Sequence, residues 1–312
     1  MEFNHVPVML KECIEALKLK DNAIYVDGTI GGGGHSFEIL RRTKDSKLIG
    51  IDQDKEALEF VKRRLERFQD RLILVHSNFS NLRDILDKLG IEQIDGILLD
   101  LGVSSYQIDT PERGFSYRFD SRLDMRMDQD NKLSAYEVVN HYSEHDLARI
   151  INDYGEERLA NKIAKQIVVE RAIKPIETTF ELKRIITKCI PAFRGNYGLD
   201  NVQRVFQAIR IEVNGELNVI EKTIIDATDK LRVGGRMAII TFHSLEDRIV
   251  KQTFKKLSLN CICPPEIPVC VCGGNNARLK LITTKPIIAT PDELRQNMRA
   301  SSAKLRIVEK IK

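Results

Sequence analysis

Short apolar runs bounded by glycines and polar clusters mark five strands, over 24–27, 48–52, 71–76, 96–100 and 236–242. Between the first three, apolar positions recur at helical spacing over 36–43 and 55–68. Alternation of strand and helix at this spacing predicts a parallel sheet with crossover helices. The alternation stops after Asp100. Residues 103–132 read as loop, with Pro111, Gly114 and many charges, and from Leu133 to Leu231 the pattern is helical almost throughout. Pro175 and Pro191 punctuate that stretch. Ser143-x-x-Asp146 and Thr178-x-x-Glu181 have the form of capping boxes that open two of its helices. The sheet resumes at Arg236, and 280–288 and 304–310 read as two last strands. The predicted fold class is α/β, a doubly wound, mostly parallel sheet with an inserted α-helical domain. The expected division assigns 1–105 and 231–312 to the sheet domain and 106–230 to the inserted loop and helices.

Composition narrows the class. Of 312 residues, 42% are hydrophobic and 30% charged, enough for a sizeable core inside a soluble surface. No apolar run reaches the roughly 18 residues that a membrane helix needs. Met1-Glu2-Phe3-Asn4-His5 has neither a basic n-region nor an apolar h-region, so a cytoplasmic location is expected. The net charge of +4 is unevenly spread. Residues 1–132 carry 20 basic against 24 acidic side chains, whereas 231–312 carry 15 against 6. Within the helical stretch, 156–210 carries 11 against 6. Such excesses suit a polyanion, although a solvated surface gives the same count.

The strongest local signal is Val26-Asp27-Gly28-Thr29-Ile30-Gly31-Gly32-Gly33-Gly34-His35-Ser36, a glycine-rich turn between a strand and a helix. Glycines there let the backbone turn tightly and approach a ligand. Asp52 ends the second strand, where a carboxylate can accept both hydroxyls of a ribose. Asn78 and Phe79 follow the third strand, where a side chain can cover an adenine ring, and Asp100 ends the fourth. Nicotinamide and S-adenosylmethionine sites share this plan. Two features disfavour the dehydrogenase. Gly31-x-Gly33-x-x-Ser36 lacks the last glycine of the dinucleotide fingerprint, and 231–240 reads as a helix end, a Gly-Gly turn and the fifth strand of a methyltransferase sheet. S-adenosylmethionine has no pyrophosphate and does not require that fingerprint.

Several longer blocks occur in order: His5-Val-Pro-Val-Met-Leu-Lys-Glu12, Asp27-Gly-Thr-Ile-Gly-Gly-Gly-Gly-His-Ser36, Asp95-Gly-Ile-Leu-Leu-Asp-Leu-Gly-Val-Ser-Ser105 and Arg113-Gly-Phe-Ser116, then Leu123-Asp-Met-Arg-Met-Asp128, Tyr154-Gly-Glu-Glu-Arg158, Val205-Phe-Gln-Ala-Ile-Arg-Ile211 and Phe242-His-Ser-Leu-Glu-Asp-Arg248. Together they resemble the bacterial small-subunit ribosomal RNA cytosine-N4 methyltransferases, the MraW or RsmH family, from residue 5 to about residue 306. The resemblance implies methylation of the exocyclic N4 amine of a cytosine in 16S ribosomal RNA, within the small ribosomal subunit. The alternative is a methyltransferase acting on DNA or protein. It also implies that Gly33, Gly34, His35, Asp52, Phe79, Asp100 and Gln107 bind S-adenosylmethionine. His35 and Gln107 rest on the resemblance alone; as a residue at a helix start, His35 could instead bond local backbone. Two runs depart from the family pattern: Asp200-Asn-Val-Gln-Arg204 keeps only its Arg, and Asn297-Met-Arg-Ala300 replaces Asn-Pro-Arg-Ser. If either touches RNA, substrate affinity differs here.

An exocyclic cytosine amine is a poor nucleophile because its lone pair is delocalised into the ring. A hydrogen-bond acceptor aimed at N4–H would localise it. Asp100, or a carbonyl in 101–104, is the catalytic candidate, with holding the cofactor as the other role for Asp100. His243, ending the fifth strand, is a second-rank candidate with a structural role equally open. Tyr106, Phe115, Tyr117 and Phe119 could stack on a flipped base or simply pack beneath a loop. Arg113, Arg118, Arg122 and Arg126 could bind phosphate or pair with nearby Asp. Phosphate-contact candidates on the helices are Arg158, Lys162, Lys165, Lys183, Arg184, Lys188, Arg194 and Arg204. Cys261, Cys263, Cys270 and Cys272 form Cys-x-Cys-x6-Cys-x-Cys, with Pro264, Pro265 and Pro268 inside. They could hold a structural zinc, or be reduced thiols in a stiff loop; the Cys-x-Cys pairs are tighter than the usual zinc spacing. Disulfides do not suit a reducing cytoplasm. No membrane partner is expected, and a homo-oligomer is left open.

Overall fold

The computed structural model describes residues 7–190, 197–264, 266 and 269–312. His5, Pro191, Arg194, Pro265 and Pro268 lie outside the described residues. Among those described, eight strands form one sheet: β1 Ile24–Asp27, β2 Lys47–Asp52, β3 Leu72–His76, β4 Ile94–Asp100, β5 Leu231–Thr241, β6 Leu279–Leu281, β7 Ile287–Ile288 and β8 Lys304–Lys310. Their order is β3-β2-β1-β4-β5-β8-β6, with β7 also paired to β8. β1 to β5 are parallel and β6, β7 and β8 antiparallel.

Alternation along each strand feeds two cores, one on each face of the sheet. Tyr25, Leu48, Leu98, Ala238 and Leu305 join one, packed with helices Leu10–Ala16, Gly34–Arg42 and Lys55–Arg64. Val26, Ile49, Ile97, Leu99, Met237 and Ile239 join the other, packed with Leu82–Lys88, Ile220–Lys230 and Ser244–Leu257. Helices on both faces make the sheet doubly wound, as expected. Because both faces are covered, the parallel strands read as continuous apolar runs.

Two details correct the sequence reading. The segment 280–288 is two short strands, not one. Gly234-Gly235 is not a turn before the fifth strand: β5 begins at Leu231, and its register against β4 shifts between Ile94 and Gly96. The extra residues are taken up as a bulge, which sequence periodicity does not reveal.

The chain divides into two compact units, Met1–Gly102 with Leu217–Lys312, and Val103–Glu216. The helix Ile220–Lys230 therefore belongs with the sheet, where Ile224 and Ala227 enter its core. The second unit has its own core around Val138, Leu147, Ile150, Ile163, Ile167, Leu182, Ile186, Val205 and Ile209. These come from helices Ala135–His141, Glu144–Asp153, Ala160–Ile173, Thr179–Cys189 and Tyr197–Asn214. The Thr178–Glu181 box forms in both directions: Glu181 N–H donates to Thr178 Oγ1 at 3.3 Å and Thr178 N–H to Glu181 Oε2 at 3.2 Å. At Ser143 only the cap forms, with Asp146 N–H donating to Ser143 Oγ at 3.0 Å.

Candidate active site

β2, β1 and β4 are neighbours and end on Asp52, Asp27 and Asp100. Strand order reverses at β1, and open α/β sheets form their ligand crevice outside the carboxyl ends at such a point. Asp27 is buried and accepts from Ser36 Oγ at 2.6 Å and Thr29 N–H at 3.3 Å. Burial pushes its carboxyl up to about 6 against those bonds. Asp52 accepts from Gly31 N–H at 2.8 Å and Asp54 N–H at 2.9 Å, and burial likewise raises it to about 6.

Asp100 is different. Its backbone N–H donates to Thr29 Oγ1 at 2.6 Å, but its buried Oδ1 has no hydrogen-bond partner among the described residues. Burial, then the charges of Asp27 and Glu246, push its carboxyl up to about 8. No bond offsets the rise, which is why it exceeds that of its two neighbours. A buried, unpaired polar oxygen costs free energy in folding, so Asp100 is the carboxyl of this crevice with an acceptor to spare.

The turn between β1 and the helix Gly34–Arg42 brings the glycines beside these carboxyls. Gly33 caps that helix at φ 71°, and a Cβ there would lie 3.1 Å from Val61 Cγ2. A Cβ on Gly34 would lie 2.1 Å from Pro7 Cγ. His35 is buried, its Nε2–H donating to the Val8 carbonyl at 3.0 Å. Phe79 follows β3 in a 3-10 turn, where Asn78 Oδ1 accepts from Ser80 N–H at 2.9 Å. A Cβ on Gly28 would be 3.4 Å from Phe79 Cβ, so Phe79 stands against the start of the glycine turn. Gln107 belongs to the other unit, where it closes a capping box: Ser104 N–H donates to Gln107 Oε1 at 3.0 Å.

His243 precedes the helix Ser244–Leu257. Its Nε2 lies 3.1 Å from Glu246 Oε1. Glu246 Oε2 accepts from Phe242 N–H at 2.8 Å. Sequence reasoning passed over Thr29, Ser36 and Glu246. Their signals were a hydroxyl inside the glycine turn, another at its end, and an acid three residues after His243.

In the helical unit the structure decides between several open readings. Phe115 and Tyr117 pack against its core, and Tyr117 meets Phe206 edge-on at 5.6 Å, whereas Phe119 is exposed. Arg113 is buried and donates to the carbonyls of Arg126 and Met127, and Arg126 pairs with Asp124, so both are framework. Arg118 and Arg122 are exposed. Of the helix basics, Lys162 donates to Cys189 O, Lys188 pairs with Glu170 and Arg204 with the buried Glu157. Lys183 lies near the rings of Tyr117 and Phe180. Arg158, Lys165 and Arg184 are exposed. Of the departing run at 200–204, Asn201 and Val202 are buried, Asn201 Nδ2 donating to Glu157 Oε2 at 2.8 Å, whereas Asp200 and Gln203 are exposed. In the sheet unit, the sulfurs of Cys261, Cys263, Cys270 and Cys272 all lie within 4.8 Å of one another.

The MraW methylase family matches residues 2–311. The chain belongs to that family. Two relatives, both called ribosomal RNA small subunit methyltransferase H, come from Finegoldia magna and Clostridioides difficile; each is 54% identical over 312 residues and is covered along with this chain in full. Among solved structures, an rRNA methylase from Streptococcus thermophilus overlaps the whole of both chains at a TM-score of 0.42 and 12% identity. For a methylase, the three strand-end carboxyls are the chemistry to explain. No helix among the described residues is long and apolar enough to cross a membrane.

Proposed function

We propose that this MraW methylase transfers the methyl group of S-adenosylmethionine to the exocyclic N4 of a cytosine in small-subunit ribosomal RNA. The observation that carries the reading is the full-length identity to relatives named for that RNA, joined to a methylase crevice with an unpaired buried carboxyl. The residues present fit the cofactor. Its ribose diol needs an acceptor at the end of β2, which is Asp52. Its cationic end needs a carboxyl that lacks a partner, which is Asp100. Gly33 and Gly34 keep side chains out of the turn, and Phe79 offers a ring for the adenine. His35 acts from behind, tying the helix start to Val8.

When bound, S-adenosylmethionine supplies an electrophilic methyl group. The chain's own contribution is alignment, and most of the rate gain comes from it. Asp100 is largely protonated in the free protein at neutral pH, so it becomes an effective acceptor only where a cation restores its charge. That favours Asp100 as the group that holds the cofactor. A carbonyl of 101–104 then accepts a hydrogen bond from N4–H, and the proton released after transfer passes to water, with His243 as the second candidate for taking it. The division of labour we propose gives cofactor binding to the sheet unit and RNA recognition to Val103–Glu216, through exposed bases such as Arg158, Lys165 and Arg184.

The test incubates the protein with methyl-labelled S-adenosylmethionine and small subunits from cells lacking this enzyme, with naked ribosomal RNA and DNA in parallel. Label recovered as N4-methylcytidine from RNA is expected, with the assembled subunit the better acceptor. Label in DNA or protein, or cofactor binding with no transfer, would overturn the reading.

A further inference from the structure

The loop joining the helix Ser244–Leu257 to β6 holds the four-cysteine motif, and its apolar side chains point the wrong way for a folded loop. Ile262, Val269 and Val271 are 60%, 71% and 75% exposed. Such a loop gains little from the hydrophobic effect, so something else must hold it. What converges in it is sulfur. Cys261 and Cys270 Sγ are 3.6 Å apart, Cys270 and Cys272 3.5 Å, and Cys261 and Cys272 3.8 Å. A tetrahedron with zinc–sulfur bonds of about 2.3 Å has edges of about 3.8 Å.

The backbone around the sulfurs is also suited to thiolates. The N–H of Ile262, between the first two cysteines, donates to Cys272 Sγ at 3.4 Å. The N–H of Val271, between the last two, donates to Cys263 Sγ at 3.3 Å. Each Cys-x-Cys pair thus lends its middle amide to a sulfur of the other pair. Such donors stabilise thiolate charge and orient the ligands. This reciprocity resolves the tight spacing, because each pair supplies two ligands and one donor. At the neck, Asn276 Nδ2 donates to Asn260 O at 3.0 Å and Cys272 O at 3.1 Å.

We propose that Cys261, Cys263, Cys270 and Cys272 bind one structural zinc ion that folds the loop 261–272, independently of the methyl-transfer reading. A closed tetrathiolate leaves no open coordination position, so its role is to hold the chain and not to catalyse. Binding releases thiol protons, so affinity rises with pH.

Protein purified under reducing conditions without chelator is expected to carry one zinc per chain by elemental mass spectrometry. Replacement by cobalt should give visible absorption of tetrahedral Co2+ with sulfur charge-transfer bands. The double variant Cys270→Ser/Cys272→Ser should lose both signals, and a glutamate-specific protease should then cut it rapidly after Glu266. Unchanged far-UV circular dichroism would show that the rest still folds. Less than a tenth of an equivalent of zinc, with four thiols equally reactive before and after zinc is added, would overturn the site. Iron in place of zinc would overturn the choice of metal.

Discussion

Glu157 of the helical unit and Asp100 of the sheet unit both take a carboxyl out of water, and they are treated in opposite ways. In the helical unit Glu157 is 1% exposed and fully engaged. It accepts from Asn201 Nδ2 and Arg204 Nε at 2.8 Å each and from Leu159 N–H at 2.9 Å. In the sheet unit the Oδ1 of half-buried Asp100 is out of water without a partner among the described residues, next to two further carboxyls pushed up by burial. A satisfied buried carboxyl supports the fold, whereas an unsatisfied one destabilises it and is a functional-site candidate. The same test separates the arginines: Arg113 and Arg126 are consumed by carbonyls and Asp124, while Arg158 and Arg184 are left at the surface.

The largest expected effect is on the stability of the sheet unit with pH. The folded state holds the Asp100 proton up to about 8, while the unfolded chain releases it near the ordinary aspartate value. The unfolded state therefore binds fewer protons between those limits, and stability falls as pH rises through the window, by about 1.4 kcal/mol per unit. Asp27 and Asp52 add to the fall only up to about 6. Asp100→Asn removes this slope, so the variant should melt well above the parent at pH 8, by less at pH 6, and close to it only near pH 4. Parallel melting curves across that range would show that Asp100 is not buried as a neutral acid. In the helical unit the contrasting change is Glu157→Ala. It strands Asn201 and half-exposed Arg204 and should cost about 2–3 kcal/mol, read by denaturant unfolding. A loss below about 0.5 kcal/mol, the range of ordinary surface changes, would mean that the cluster is not a fold determinant.

Asp52→Ala sharpens the comparison at the ligand. It removes the acceptor of the Gly31 and Asp54 amides and of the proposed ribose diol. Hydrogen bonds to a charged acceptor are worth about 1.5–3 kcal/mol, so S-adenosylmethionine affinity should fall about 10- to 100-fold by calorimetry. Affinity within twofold of the parent would detach Asp52 from the cofactor. Gly33→Ala comes next, at about 1–2 kcal/mol of stability, because a side chain there is forced to φ 71° and against Val61. An unchanged melting temperature would show that the turn relaxes freely.

Much of this was legible in the sequence because parallel strands announce themselves. β1, β2 and β4 are apolar runs that end on an acid, so the sequence alone places Asp52 and Asp100 at strand ends. The bulge between Leu231 and Arg236 was not legible, since it depends on pairing with β4. Nor was the role of Glu157, whose partners lie 44 and 47 positions away. Charge runs were least informative. Lys162, Lys188 and Arg204 looked like Lys165 and Arg184 in sequence, and only packing showed which were already used.

That sorting carries the smallest effect and the finest test. If the exposed bases of the helical unit meet phosphates, Lys165→Ala or Arg184→Ala should weaken RNA binding by about 1 kcal/mol or less each. Each should also lower the slope of log affinity against log salt by about 0.7–0.9, because one counterion fewer is released. Lys188→Ala removes a charge already neutralised by Glu170 at 2.9 Å, so its slope should match the parent's. Filter binding across a salt series separates the two classes. Equal slopes for all three variants would mean that these bases are only a solvated face, and would move the RNA contact to other residues of the chain.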